Sequence, residues 1–118
     1  MGEITRGEIV RVGVDLAKRV IQVHAVDVAG RVVTAKALAR DKFSAWCAQL
    51  PAGCLVAMES CGGAHHWARK PRSMGFDARL IAGHFVGPYR MQGKSGKNDA
   101  NDAAAVCEAA SRPSRRFV

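Results

Sequence analysis

The sequence predicts an α/β domain in which a mixed sheet is flanked by helices. Apolar residues alternate with polar or small ones over residues 9–16, 20–28 and 31–38, and these segments are rich in Val, Ile or Thr. Beyond residue 40, segments with helical spacing alternate with compact apolar runs. Three strands in series predict an antiparallel meander, and the helix–strand units after it predict two further, parallel strands.

The first strand, IVRVGVDL, sorts its side chains onto two faces. Val12 and Val14 fall on one face, whereas Gly13 and Asp15 fall on the other. Asp15 is therefore expected at the end of this strand, on the face opposite the valines. Ala29-Gly30, between the second and third segments, predicts a hairpin turn.

The remaining elements are predicted from the spacing of apolar residues, which changes from the spacing of strands to that of helices after residue 40. Asp41 stands where it would cap the first helix, and Pro71 should kink or shorten the second. The stretch 83–97 is basic, rich in glycine and without a period, which predicts a loop, and Asn98 would cap the last helix. The predicted elements are helix 41–50, strand 54–59, helix 63–74, strand 78–82 and helix 98–111, before a basic tail without regular structure.

Length and charge narrow the class of protein. A chain of 118 residues, 48% of them hydrophobic, is one domain with a core. Its 18 Lys and Arg against 10 Asp and Glu give a net charge of +8. This predicts a nucleic-acid partner, because phosphate contacts release counterions, although a merely basic protein is the alternative. Neither a signal peptide nor an apolar run of about 18 residues is visible, so we expect a cytoplasmic protein with no membrane segment.

The four cysteines form no C-x-x-C pair, and we expect reduced, partly buried thiols. A zinc site of Cys61, His65 and His66 is an alternative, but this spacing matches no common zinc pattern. The two histidines follow Glu59 closely, and they either face that acid or lie on the helix surface.

Four acids stand where metal chemistry would need them: Asp15, Glu59, Asp99 and Asp102. Asp15 and Glu59 end the first and fourth strands, and the two later aspartates lie three residues apart at the start of the last helix. If these strands are neighbours, the carboxylates converge and repel one another unless cations neutralise them. Mg²⁺ or Mn²⁺ would suit such oxygen ligands, and two ions about 4 Å apart can promote phosphodiester displacement. Each acid alone can also be explained without a metal site, as a solvated residue at a strand end or as a residue whose charge is stabilised by the helix dipole.

Three segments carry a resemblance to a known family: VGVDLAK (12–18), AMESCGGAHHWAR (57–69) and GKNDANDAAAVCEA (96–109), with FVGPYR (85–90) preceding the last. They resemble the N-terminal domain of the DEDD-type insertion-sequence transposases. That family includes the Piv-type DNA invertases and is related in fold to Holliday-junction resolvases. The likeness runs from about residue 9 to the C-terminus, and it implies a ribonuclease-H-like fold over residues 1–118.

The resemblance also implies a function. Asp15, Glu59, Asp99 and Asp102 correspond to the four family acids, which would serve as catalytic residues and as ligands of two Mg²⁺ or Mn²⁺ ions. The reaction would be DNA cleavage and rejoining at transposon ends and target, in a nucleoid-associated protein. Family members carry a second, C-terminal domain with a nucleophilic serine, so this chain resembles a product truncated before the linker helices. An element-encoded guide RNA and a homo-oligomer of the full-length form are further implications.

Nucleic-acid contacts are expected from four basic residues in the loop and the tail: Lys94, Lys97, Arg115 and Arg116. A solvated basic loop is the alternative. Two rival functions stay open. One is a catalytically silent, nucleic-acid-binding remnant of a transposase. The other is an ATP-handling protein of the sugar-kinase or actin type, but the glycine-rich turn that this type needs directly after the first acid is missing after Asp15.

Overall fold

A computed structural model describes residues 8–17, 19–60, 64–90, 99–112 and 117–118, with the backbone only for residues 65 and 99–101. It shows a five-stranded mixed sheet with the strand order β3-β2-β1-β4-β5. The predicted α/β class is thus confirmed, and the arrangement is consistent with a ribonuclease-H-like fold. The strands are β1 (Arg11–Leu16), β2 (Val20–Val26), β3 (Val32–Ala39), β4 (Leu55–Glu59) and β5 (Asp77–Ile81). The helices are α1 (Phe43–Cys47), α2 (Ala64–Ser73), α3 (Gly83–Val86) and α4 (Asp99–Ala110).

The meander forms as predicted. β1 pairs antiparallel with β2, and β2 pairs antiparallel with β3. At the β2–β3 turn the Asp27 carboxylate accepts hydrogen bonds from the backbone amides of Ala29, at 2.9 Å, and Arg31, at 3.0 Å. Gly30 adopts a φ of +83°, which a residue without a side chain tolerates best. The predicted hairpin is therefore confirmed.

The two later strands run parallel to β1. β4 lies directly beside β1, with Val14 opposite Met58, and β5 continues the sheet on the far side of β4. Parallel neighbours bring their carboxyl ends to the same edge. This edge receives the last residues of β1 and β4.

Helices cover both faces of the sheet. The valine face packs under α1 and α2, where Val12, Val14 and Phe43 are buried in one cluster. The opposite face packs against α4, where Ala57 and Val106 belong to a second cluster. Burying apolar side chains on both faces is what holds such a layered domain together.

Gly13 sets the closest approach of α4 to β1. A β-carbon at this position would lie 2.3 Å from the carbonyl oxygen of Ala103 and 2.4 Å from the amide nitrogen of Cys107. Both are backbone atoms of α4, so the helix can lie this close only against a glycine. The Nε of Arg11 also donates a hydrogen bond to the carbonyl of Cys107 at 3.0 Å.

Two helix predictions need correction. Asp41 does not cap α1: it lies within a 3-10 turn, Arg40–Lys42, and neither this turn nor α1 has a side-chain cap. α2 also continues through Pro71 to Ser73. Proline removes one backbone donor, but the Pro71 ring is fully buried, which offsets that loss.

The stretch 83–97 is not wholly a loop. Its first residues form α3 and a 3-10 turn, Gly87–Tyr89, and both were too short to show a period. The tail also differs from expectation where it is described, because Phe117 bridges to Ile81 and the Val118 amide donates to the Leu80 carbonyl at 2.7 Å. Across the described ranges, no helix combines the length and apolar character needed to cross a membrane.

Candidate functional site: carboxylates at the sheet edge

Asp15 and Glu59 lie at corresponding positions of two adjacent strands. Val14 is paired with Met58, so Asp15 and Glu59 are the next residues along β1 and β4. Both share a face with the residue two positions earlier, Gly13 or Ala57, and that face packs against α4. Both acids are half-buried. The predicted placement of these two residues on neighbouring strands is confirmed.

α4 brings a third acid to the same edge. The helix runs opposite to β1, because Arg11 contacts Cys107 whereas Gly13 reaches back to Ala103. Its first turn therefore lies at the carboxyl end of β1. Asp102 is in this turn and is half-buried, and the helix begins at Asp99.

Arg90 connects two of these acids. Its Nη2 donates to Oε1 of Glu59 at 2.5 Å, and its Nε donates to Oδ1 of Asp102 at 2.8 Å. The three side chains are only 20–28% exposed, so water screens these ion pairs weakly. The hydrogen bond to Asp102 and the nearby charge of Glu59 raise the pKa of Arg90, even though burial acts in the opposite direction.

Arg90 supplies part of the positive charge that these carboxylates need. The sequence predicted that cations would have to neutralise the repulsion among them, and one guanidinium neutralises part of the charge of Glu59 and Asp102. Binding of Mg²⁺ or Mn²⁺ there stays a prediction. Sequence reasoning assigned Arg90 no role, because it fell in a segment interpreted as a loop. The available signal was its position in the FVGPYR motif, twelve residues before Asp102.

Gly83 shapes the other side of Glu59. A β-carbon at Gly83 would lie 2.5 Å from Oε2 of Glu59, so that oxygen rests against the start of α3. The other oxygen, Oε1, is the one that contacts Arg90. One oxygen of the carboxylate thus lies beside α3, while the other is presented to the guanidinium of Arg90.

The donor set at this edge suits a hard cation. Glu59 and Asp102 already share one positively charged group, and carboxylate oxygens are the ligands that Mg²⁺ and Mn²⁺ prefer. Among the side chains that the structure describes, no three His, Cys, Asp or Glu groups are arranged to hold a metal ion. The side chain of Asp99 lies outside that description.

Other predicted residues lie elsewhere or outside the described part of the chain. His66 is exposed on α2, where its ring meets Trp67 edge-on, and α2 packs on the sheet face opposite α4. Its interpretation as a surface residue is therefore the correct one. The remaining predicted residues, Cys61, Lys94, Lys97, Arg115 and Arg116, and the side chain of His65, lie outside the described residues.

The described cysteines are buried and reduced, as predicted: Cys47, Cys54 and Cys107. Burial raises the pKa of the Cys47 and Cys54 thiols to about 12 and also raises the pKa of Cys107. At neutral pH these thiols stay protonated, so they are poor nucleophiles and poor metal ligands.

Curated proteins similar to this chain are named transposases. A Pseudomonas aeruginosa protein named "Probable family 20 transposase" is 55% identical over 108 residues, which cover 92% of this chain and 31% of that protein. The "Transposase for insertion sequence element IS1111A" of Coxiella burnetii is 47% identical over 90% of this chain and 28% of its own length. The "Transposase for insertion sequence element IS1328" of Yersinia enterocolitica is 42% identical over 91% of this chain and 31% of its own length.

The chain therefore spans about three tenths of the length of these relatives. No family profile matches the sequence.

Proposed function

We propose that this chain is the metal-dependent, DNA-cleaving domain of an insertion-sequence transposase. One observation carries the proposal: Glu59 and Asp102 lie close enough to share the guanidinium of Arg90, at the sheet edge where Asp15 also ends its strand. The names of the similar proteins support DNA transposition as the process. Asp15, Glu59, Asp99 and Asp102 would be the metal ligands and catalytic residues.

Each part of the site has a role in this proposal. Bound Mg²⁺ or Mn²⁺ supplies activation of a water or a DNA hydroxyl and stabilisation of the leaving oxygen. Glu59 and Asp102 would hold the metal ion from β4 and α4, and Asp15 would add a ligand from β1. The basic residues Lys94, Lys97, Arg115 and Arg116 would position the DNA backbone, since phosphate contacts fix register without reading sequence.

Several partners belong to the same proposal. DNA at the transposon ends and at the target would be the substrate, and a guide RNA encoded by the element would direct target choice. Self-association would belong to the full-length protein. These partners rest on the family resemblance of the KNDANDA segment (97–103) and its neighbours.

A second candidate is a nucleic-acid-binding module without catalytic activity. Arg90 favours it, because its guanidinium pairs with both Glu59 and Asp102 and balances part of their charge. In this alternative the basic residues bind phosphates, and the acids only anchor α4 to the sheet.

A plasmid-nicking assay separates the two. The chain is incubated with supercoiled DNA in Mg²⁺, in Mn²⁺ and in chelator, beside Glu59→Gln and Asp102→Asn. Catalysis predicts nicking that needs the metal and is lost in both variants, whereas Asp77→Asn, which alters an exposed acid paired with Arg79, keeps it. Salt-sensitive binding without nicking supports the silent module. Nicking that persists in chelator or in both site variants contradicts the proposed metal site.

A further inference from the structure

We infer that Arg90 is a positioning residue, an internal counter-ion that competes with a divalent cation for Glu59 and Asp102. Its guanidinium links the first turn of α4 to the end of β4. When the cation binds, the guanidinium withdraws from both carboxylates. This inference rests on the proposed metal site and adds a residue that regulates its occupancy.

The position of Arg90 is fixed by its surroundings. It follows the 3-10 turn Gly87–Tyr89 directly, and its amide donates to the Gly87 carbonyl at 3.1 Å. Tyr89 packs against the second apolar cluster, which contains Val106 of α4, and the guanidinium of Arg112 lies 5.4 Å from the centre of the Tyr89 ring. The backbone of Arg90 is thus held near α4, while its side chain reaches the two acids.

Arg90 and a divalent metal ion would compete for the same carboxylate oxygens of Glu59 and Asp102. Oε1 of Glu59 accepts from Arg90, whereas Oε2 rests against Gly83, where even a β-carbon would come within 2.5 Å. A metal ion that binds Glu59 through Oε1 would contact the oxygen that Arg90 occupies. At Asp102 the guanidinium also holds one oxygen, Oδ1, through Nε.

The charge balance makes the exchange favourable for a divalent ion. One guanidinium faces two carboxylates, so this triad keeps an excess negative charge. A divalent ion supplies twice the charge of Arg90 and binds oxygen directly. Since the side chains are only 20–28% exposed, removing Arg90 should leave the carboxylates strongly attractive to cations.

The test is the Mn²⁺ affinity of the chain, measured by isothermal titration calorimetry, for the wild type and three variants. Arg90→Ala should bind Mn²⁺ about tenfold more tightly, the size of one partly screened charged hydrogen-bond pair. Its melting temperature without metal should fall, and its rise with Mn²⁺ should exceed that of the wild type. Arg90→Lys keeps the charge but not the planar fork, so its affinity should lie between the two.

Arg79→Ala is the matched control. It removes an arginine that pairs with Asp77 and is half-exposed on β5, so Mn²⁺ affinity should not change. A purely structural Arg90 would give a different pattern, with lower stability and an equal or weaker Mn²⁺ affinity in Arg90→Ala. That result overturns the inference while leaving the metal site intact. If neither the wild type nor Arg90→Ala nor Arg90→Lys binds Mn²⁺ at millimolar concentration, the proposed metal site itself fails.

Discussion

Replacing Gly13 with alanine tests how the acidic helix is held on the sheet. The new β-carbon would lie 2.3 and 2.4 Å from two backbone atoms of α4, and 2.7 Å from the β-carbon of Cys107. Ordinary contact begins near 3.4 Å, so α4 must move away from β1 by about 1 Å. The helix carries Asp99 and Asp102, so the same movement withdraws these acids from the ends of β1 and β4.

The expected loss in the free energy of unfolding lies at the upper end of the range for overpacked cores. Inserting a methyl group into a packed core costs about 1–3 kcal/mol, and here no flexible side chain can yield because two of the three contacts are backbone. We expect a loss of about 3 kcal/mol in the free energy of unfolding. For a domain of this length that lowers the melting temperature by about 12 °C.

Thermal unfolding followed by circular dichroism checks this expectation. Val28→Ala is the control, because this side chain is 66% exposed and its truncation leaves no cavity in the core. The control should melt within about 2 °C of the wild type, as surface substitutions usually do. If Gly13→Ala also melts within that range, α4 does not pack on β1 in the way described.

Three further predictions concern other parts of the molecule. Gly83→Ala should leave the melting temperature nearly unchanged, because the flexible Glu59 carboxylate can turn away from the new β-carbon. The same movement should weaken Mn²⁺ binding about tenfold. An unchanged Mn²⁺ affinity would refute the idea that Gly83 leaves room for the Glu59 carboxylate. The thiols of Cys47 and Cys54 should resist alkylation in the native protein at pH 8, because burial raises each pKa from 9.0 to about 12. The unfolded chain releases these protons first, so the free energy of unfolding should fall as pH rises from about 9 towards 12, and rapid native alkylation at pH 8 would refute the burial. A variant with four alanines should bind all DNA sequences more weakly and lose part of the salt dependence of binding, in filter-binding assays from low to several hundred millimolar salt. If the wild type binds equally well at all these salt concentrations, binding does not depend on phosphate contacts. The four replaced residues are Lys94, Lys97, Arg115 and Arg116.

The strands and their mixed pairing could be predicted because the signals for them are local and repeated. The period-two pattern of Val12 and Val14 identified β1, and Ala29-Gly30 marked the hairpin that joins β2 to β3. The acids at the ends of β1 and β4 then had to share an edge once those strands were parallel neighbours. Convergence of Asp15 and Glu59 was predicted on the condition that these strands are neighbours, and the pairing of β1 with β4 meets that condition.

The parts that could not be predicted depend on contacts between distant segments. Whether Pro71 ends a helix depends on the burial of its ring, which no local pattern reports. α3 is four residues long, too short for a helical period to show. The bridge from Arg90 to Glu59 joins residues 31 positions apart, and it forms only because the turn before Arg90 packs against α4.

The roles of the predicted site residues remain predictions. The structure brings Glu59 and Asp102 to the guanidinium of Arg90 and shows Asp15 on the strand beside that of Glu59.

Anomalous diffraction at the manganese absorption edge, from crystals of this chain grown with Mn²⁺, tests the metal site most directly. The account predicts at least one anomalous peak within coordination distance of both Glu59 and Asp102, with the Arg90 guanidinium no longer between them. Asp15 should lie beside the same peak, at the shared edge of β1 and β4. Crystals in tens of millimolar Mn²⁺ that show no peak at this edge, with Arg90 still bridging both carboxylates, would contradict it.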